Sequence, residues 1–352
     1  MNKIEQNIKL GFNDVLIKPT YSTLSSRSQV ELLNTFTFKH SKKTLTCLPI
    51  ISANMDTTGT FETGLVFSKH KMLTAIHKHY SINQWKKFYH SLQDKSILEY
   101  FIISSGILDN DIDTLVEIYN MIPEISIICL DVANGYMESF VNTLKRVRTM
   151  IPNSIIIAGN VVTSEMSLML ISNGADIVKL GIGPGSVCTT RKQTGVGYPQ
   201  LSAILDCSVQ IRESGGLIIS DGGCNVPGDF SKAFCAGADF IMAGGIFAGH
   251  EESGGDLVID DKTKNKYKLF YGMSSSKAMM KHKGNMSNYR SSEGKVVKIP
   301  YKGPIENTIL DLLGGIRSTC TYIGVKHIGD MFLSSTFIRV NIQTNNIFNR
   351  FE

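Results

Sequence analysis

The chain has 352 residues, enough to bury one large α/β barrel or two ordinary domains. Hydrophobic residues make up 42% and charged residues 19%, and the net charge of +5 is spread along the chain without a dense Lys/Arg block. That distribution argues against a nucleic-acid-binding face, which concentrates its charge, and leaves small anionic ligands as partners.

Seven scattered cysteines (Cys47, Cys129, Cys188, Cys207, Cys224, Cys235, Cys320) form no CxxC pair and no zinc-spaced cluster. Reduced thiols are expected. The opening MNKIEQNIKLGFND lacks an apolar signal core, and no apolar run approaches the roughly 18 residues of a membrane span. A cytoplasmic protein is the expectation.

The first buried-strand candidate is Leu48–Ala53, followed by NMDTTG. Met72–His77 is the second, then a helical segment over Ile82–Leu92. Tyr100–Ser105 precedes a helix over Asp113–Ile122, and Ile125–Val132 precedes one over Met137–Met150. Ser154–Val161 leads to Glu165–Asn173, Asp176–Ile182 to Gln200–Ser214, and Gly216–Asp221 to Gly228–Cys235. Asp239–Gly244 is the eighth apolar run. Strand–helix alternation implies parallel pairing with helical crossovers. NGADIVKLGIG and AGADFIMAGGI repeat one pattern: a helix-ending glycine, a turn and a buried strand. A single (β/α)8 TIM barrel over residues 1–352 is the expected fold, with a doubly wound sheet second.

In such a barrel, chemistry gathers where strands end. The seventh and eighth strands end in Asp221-Gly222-Gly223 and Gly244-Gly245, where backbone N–H groups can approach a phosphate; Ser186 adds a hydroxyl. Asp221 would repel a phosphate and suits a ribose diol better. The sixth strand runs into GIGPGSVCTT, which lacks the third glycine of a dinucleotide fingerprint. Cys188 stands there in a polar loop with Arg191 and Lys192 nearby, a setting that favours thiolate. The same loop's carbonyls could instead ring a monovalent cation. Residues 271–303, polar and glycine-bearing, read as a mobile lid. On the lid, Arg290 and Glu293 are either a solvated pair or groups brought to the site, Glu293 then relaying protons through Thr190.

Taken together, GIGPGSVCTTRKQTGVGYPQ, SDGGC, YGMSS, NYRSSEGK and LGGIRSTCTYIG resemble the inosine-monophosphate dehydrogenase/GMP reductase family, in its reductase branch. The resemblance runs from about Phe12 to Ile328. It implies NADPH-dependent conversion of GMP to IMP and ammonia through a covalent purine on Cys188, with Thr190 and Glu293 as the proton relay. It implies a phosphate site of Ser186, Gly222, Gly223, Gly244 and Gly245, and a ribose contact at Asp221. Gly272, Met273, Ser274, Arg290, Ser291, Ser292 and Gly294 match the base-binding strand and lid. Lys78, Asp131, Val132, Ala133, Ile182, Gly183, Met273 and Arg290 match cofactor contacts. Ser26, Arg27, Tyr289, Ser318, Thr319, Cys320 and Thr321 resemble contacts donated by a neighbouring subunit, which implies a homotetramer. Gly183, Gly185, Cys188 and Arg191 match a potassium site.

An IMP dehydrogenase without its regulatory domain is the alternative. Against it, only Lys78–Glu99 joins the second and third strands, and the lid carries Tyr289-Arg290 rather than the dehydrogenase's Arg-Tyr order. A catalytically silent nucleotide-binding protein is a further rival, although every catalytic position is filled.

Overall fold

The computed structural model describes residues 4–283 and 292–341. Eight parallel strands close in sequence order into a barrel: β1 (Ile50–Ser52), β2 (Leu73–Ile76), β3 (Phe101–Ser105), β4 (Ile127–Asp131), β5 (Ile155–Val161), β6 (Ile177–Leu180), β7 (Leu217–Asp221) and β8 (Phe240–Ala243). Closure is made by β8 on β1, with Ile241 opposite Ile50 and Met242 opposite Ile51. The expected (β/α)8 barrel is the observed fold.

The helices in chain order are α1 (Phe61–Lys69), α2 (Ile82–Ser91), α3 (Asp109–Met121), α4 (Glu138–Met150), α5 (Ser164–Ser172), the short α6 (Thr190–Thr194), α7 (Gln200–Glu213), α8 (Pro227–Ala236), α9 (Ser276–Lys283) and α10 (Glu306–Ile323). Four of these escape the sequence reading: the short α6 lies in the stretch read as the cysteine loop, α9 lies in the segment read as a lid, and α1 and α10 carry weak or interrupted patterns. In α1 the buried face carries Thr63, Gly64 and Ser68 beside Phe61 and Phe67, so its apolar stripe is thin. The helix starts because the Thr60 side chain accepts the Thr63 N–H. In α10 the stripe is strong (Ile309, Leu312, Leu313, Ile316, Cys320, Ile323), but Gly314 and Gly315 interrupt the pattern. Helix α3 begins at Asp109, four residues before the expected Asp113.

Inside the barrel, Ile51, Leu73, Ile102, Ile127, Ile155, Ile177, Ile219 and Phe240 form one cluster. Phe36, Phe38 and Leu45 join it from the antiparallel pair Asn34–Thr37 and Thr44–Cys47, and Phe36 lies 4.3 Å from the Phe240 ring, the first residue of β8. This hairpin plugs the N-terminal end, so the open mouth is the C-terminal one.

The Gly-Ala-Asp repeat builds one joint twice. Gly174 (φ +113) and Gly237 (φ +108) turn the chain after α5 and α8 in a conformation that favours glycine. Asp176 then accepts the Ile156 N–H at 3.1 Å and pairs with Arg148 of α4 at 2.7 Å. Asp239 accepts the Ile218 N–H at 2.9 Å and pairs with Arg212 of α7 at 3.0 Å.

Between β8 and α10 the chain adds a three-stranded antiparallel sheet: β9 (Leu257–Ile259), β10 (Lys266–Tyr271) and β11 (Val296–Pro300). The segment 271–303 thus leaves from the end of β10, carries α9 and returns through β11. Tyr289, Arg290 and Ser291 lie outside the described residues.

Candidate active site

The loop after β6 turns at Gly183, whose φ of +79 favours glycine; a Cβ there would meet Arg191 Cγ at 2.6 Å. The Cys188 N–H donates to the Gly185 carbonyl at 3.1 Å, fixing the thiol at the entry to α6. The Cys188 thiol donates to Thr190 Oγ1 at 3.2 Å, and that hydroxyl donates to Glu293 Oε2 at 2.7 Å. Two groups of one loop and a third 103 residues beyond Thr190 therefore form one line. Backbone bonds hold it: Thr189 N–H to the Glu293 carbonyl at 2.8 Å, Lys295 N–H to the Val187 carbonyl at 3.0 Å, and Glu293 N–H to the Ser274 carbonyl at 3.1 Å. Residues 292–295 are laced between the cysteine loop and the Gly272-Met273-Ser274 turn, with Ser292 Oγ accepting the Ser276 N–H at 3.2 Å.

Charge from Arg191 and Lys192 is expected to favour the thiolate, but neither side chain is the hydrogen-bond partner of Cys188. The Arg191 guanidinium donates to the Tyr198 carbonyl and lies against Gly183 and Gly197, so the polar partner of Cys188 is Thr190 instead.

A residue that the sequence reading passed over lies at the centre. Lys179 on β6 is only 2% exposed and pairs with Asp131 Oδ1 at 2.6 Å and Asp221 Oδ2 at 2.8 Å. Asn54 donates to Asp131 Oδ2 at 3.0 Å, and Asn160 to Asp221 Oδ2 at 2.9 Å. Burial works against the lysine's charge, but the two carboxylates outweigh it and hold its pKa above the ordinary value. Burial likewise works against the Asp131 charge, and Lys179 reverses this, holding that carboxyl below its ordinary range. The signal was present in the sequence: a lone lysine inside IVKL, an otherwise apolar strand.

A cavity of about 270 Å³ contains this constellation: Asp131, Val132, Ala133, Lys179, Gly183, Gly185, Cys188, Thr190, Asp221, Gly222, Gly272, Met273, Ser274 and Glu293 all line it. A second, of about 530 Å³, is lined mainly by Ala133, Tyr136, Val162, Ile182, Val196 and Gly197 and shares Ala133, Ile182, Thr190 and Glu293 with the first. The two meet at the proton line. A third, of about 370 Å³, is lined by Ser186, Asn225, Gly245, Lys295 and Lys302 among others.

Most residues named from sequence converge here, with qualifications of role. Gly222 (φ +85) spends its N–H on the Met242 carbonyl at 3.1 Å, so its part is to turn the chain. Among the described residues the N–H groups of Gly223 and Gly245 have no protein acceptor. Gly244 precedes Gly245 at the end of β8, and Gly294 bridges to both Cys188 and Ser275. Lys78 does not line these cavities; Asp111 holds its ammonium at 3.1 Å. The Ser26–Arg27 turn packs against α10, away from Cys188, with Ser26 Oγ accepting the Ser28 N–H. Within α10, Ser318, Thr319 and Thr321 hydroxyls donate to their own helix's carbonyls. Cys320 is wholly buried in the core, so its side chain is unavailable to a ligand, a correction to its expected role.

The larger cavity is lined by Ala133, Tyr136, Val162, Ile182 and Val196 together with the polar Thr190 and Glu293, a mixed lining suited to an aromatic ring that carries polar groups. Among the described residues no lysine or arginine lines it to mark a 2′-phosphate. For the expected cation, Gly183, Gly185 and Arg191 offer only neutral carbonyls, a donor set suited to a monovalent ion. The Gly185 and Arg191 carbonyls already accept the Cys188 and Gly195 N–H groups, leaving one lone pair each. Among the described residues no cluster of His, Cys, Asp and Glu could hold a metal ion.

A further polar cluster ties α9 to the loop after β1. Asp56 Oδ2 accepts from Tyr271 at 2.9 Å, Lys281 at 2.8 Å and His282 at 2.7 Å. The His79 ring stacks on His282 at 3.5 Å, and His77 stacks on Tyr80 at 4.1 Å. Burial, reinforced by neighbouring histidines, drops His77 to about 3 and His79 to about 4.

Residues 9–346 match the family model described as the IMP dehydrogenase / GMP reductase domain. The chain is 54% identical over 348 residues to human GMP reductase 2, covering 99% of each chain. It is 53% identical to mouse GMP reductase 1 over 99% of this chain and all of that one. It is 52% identical to the GMP reductase of Shigella boydii over 99% of each. Among the described residues no helix is long and apolar enough to cross a membrane.

Proposed function

The chain belongs to the IMP dehydrogenase/GMP reductase family, and from that membership we propose that it catalyses reductive deamination of GMP: GMP, NADPH and a proton give IMP, ammonia and NADP⁺. The observation that carries the reading is the line Cys188–Thr190–Glu293 at the junction of two cavities. Shifting protons along that line leaves a thiolate on Cys188 and a proton on Glu293. The thiolate adds to purine C2, an electron-poor ring carbon. Amide is a poor leaving group, so the proton returns from Glu293 through Thr190 to the departing nitrogen. Ala133 and Ile182 in the larger cavity would hold NADPH, which would supply the hydride taken up at C2 as the bond to sulfur breaks and IMP forms.

Asp221 grips the ribose, and Ser186 with the Gly223 and Gly245 N–H groups receives the phosphate. Gly272, Met273, Ser274, Ser292 and Gly294 flank the base, joined by Arg290 and Ser291. Val132, Ala133, Ile182 and Gly183 flank the nicotinamide. Ser26, Arg27, Ser318, Thr319 and Thr321, on a turn and a helix that pack together, serve the cofactor of a neighbouring subunit in a homotetramer, joined by Tyr289. Carbonyls of Gly183, Gly185, Cys188 and Arg191 would hold a potassium ion, which would steady the loop. Lys78 reaches the cofactor only after leaving Asp111, and the setting is cytoplasmic.

The β2–β3 connection contains only α2 and one 3₁₀ turn, with no inserted domain. This, with reductases as the similar proteins, disfavours the dehydrogenase. The test mixes purified protein with GMP and NADPH, following nicotinamide absorbance and ammonia, beside a well of IMP and NAD⁺. NADPH loss matched by ammonia supports the proposal; NADH formation from IMP overturns it.

A further inference from the structure

The buried lysine depends on an empty place beside it. In the barrel wall Asp131 on β4 is opposite Gly159 on β5, and Gly159 is opposite Lys179 on β6. A Cβ on Gly159 would lie 2.6 Å from Lys179 Cβ and 2.5 Å from its carbonyl oxygen. The missing side chain leaves the gap through which Lys179 reaches a carboxylate two strands away, while also contacting Asp221 at the end of β7. Both carboxylates line the Cys188 cavity. Asp221 Oδ1 makes no hydrogen bond among the described residues, so one oxygen is anchored and the other faces the cavity.

We propose that Lys179 is a positioning residue, which acts by holding Asp131 and Asp221 as a fixed pair of anions so that a ribose gripped at Asp221 delivers the base to Cys188. This rests on the GMP reading above. The two bonded oxygens lie within two hydrogen-bond lengths of each other, through one ammonium. Without the lysine, two like charges face each other in one cavity, which favours keeping a proton on the pair to higher pH. An unanchored Asp221 no longer presents one acceptor in one place, and small misplacements of a reacting group are costly.

The test compares Lys179→Met, Lys179→Gln and Lys179→Arg with the native protein, each checked for folding by thermal melting. GMP affinity is read by calorimetry, and kcat and KM are read across pH. In the neutral variants kcat/KM falls roughly a hundredfold, GMP binds more weakly, and the acid limb of the pH profile moves up. Lys179→Arg keeps the limb where it is. Neutral variants that fold with native affinity and an unmoved limb overturn the proposal. Neutral variants that do not fold also overturn it, because the lysine then belongs to the barrel's stability. Native protein that binds GMP without oxidising NADPH counts against the function proposed above, while the affinity arm still reads the role of Lys179.

Discussion

Thr190 and Glu293 are 103 residues apart in sequence, and their side chains meet at 2.7 Å. One hydroxyl thereby joins the thiol loop to the segment returning from α9, so a proton can pass between elements that no local motif connects.

Glu293→Gln keeps the size and hydrogen-bonding reach of the residue and removes its ability to store a proton. Ammonia release is expected to slow by about two to three orders of magnitude, within the usual range for a positioned acid–base group. Hydride transfer changes far less, because only the first step needs the relay. Single-turnover experiments that follow ammonia and NADPH separately check this; equal slowing of both steps would sink it.

Cys188→Ala removes the attacking atom without touching the ribose or phosphate contacts. It is expected to abolish ammonia release and NADPH oxidation together while GMP still binds. Calorimetry alongside the two product assays checks it, and residual ammonia formation would mean that C2 is attacked by something else.

His77 and His79 bind protons more weakly in the folded chain than at their ordinary value of 6.5, at about 3 and about 4. Between 6.5 and about 4 the unfolded chain therefore takes up more protons, and stability falls as pH drops through that window. Above 6.5 both states are neutral at these rings, and the contribution is flat. Melting temperatures across this range should fall with acid, and should fall less in His77→Gln and His79→Gln. Identical slopes in native and variant proteins would refute the assignment.

Asp176→Asn leaves Arg148 without its buried carboxylate and weakens the anchor for the Ile156 and His40 N–H groups. The expected loss is about 3–5 kcal/mol of stability, read by urea unfolding, with kcat little changed. A loss below about 1 kcal/mol would show that the carbonyls around Arg148 suffice.

Much of this was legible in the chain because strands buried on both faces read as bare apolar runs, and the glycines and polar groups gather where those runs stop. The loop of Cys188 could be read for the same reason. Four helices escaped: α1 because threonine, glycine and serine stand on its buried face, α10 because Gly314 and Gly315 interrupt its pattern, α6 because its five residues bury none of their side chains, and α9 because it sits in a polar segment. Lys179 escaped because a strand pattern marks a charge as an interruption, while its two partners come from other strands. The engagement of Arg191 by the Tyr198 carbonyl escaped because proximity in sequence says nothing of where a long side chain points. The Asp56 cluster escaped because it joins residues from three distant segments.

The repeated Gly-Ala-Asp joint fastens the rim of the barrel opposite Cys188, tying the start of one strand to the turn before the next. The bonds that stiffen the barrel at this rim are thus separate from the loops that line the Cys188 cavity at the other, so the rigidity of the frame does not draw on the groups at the cavity.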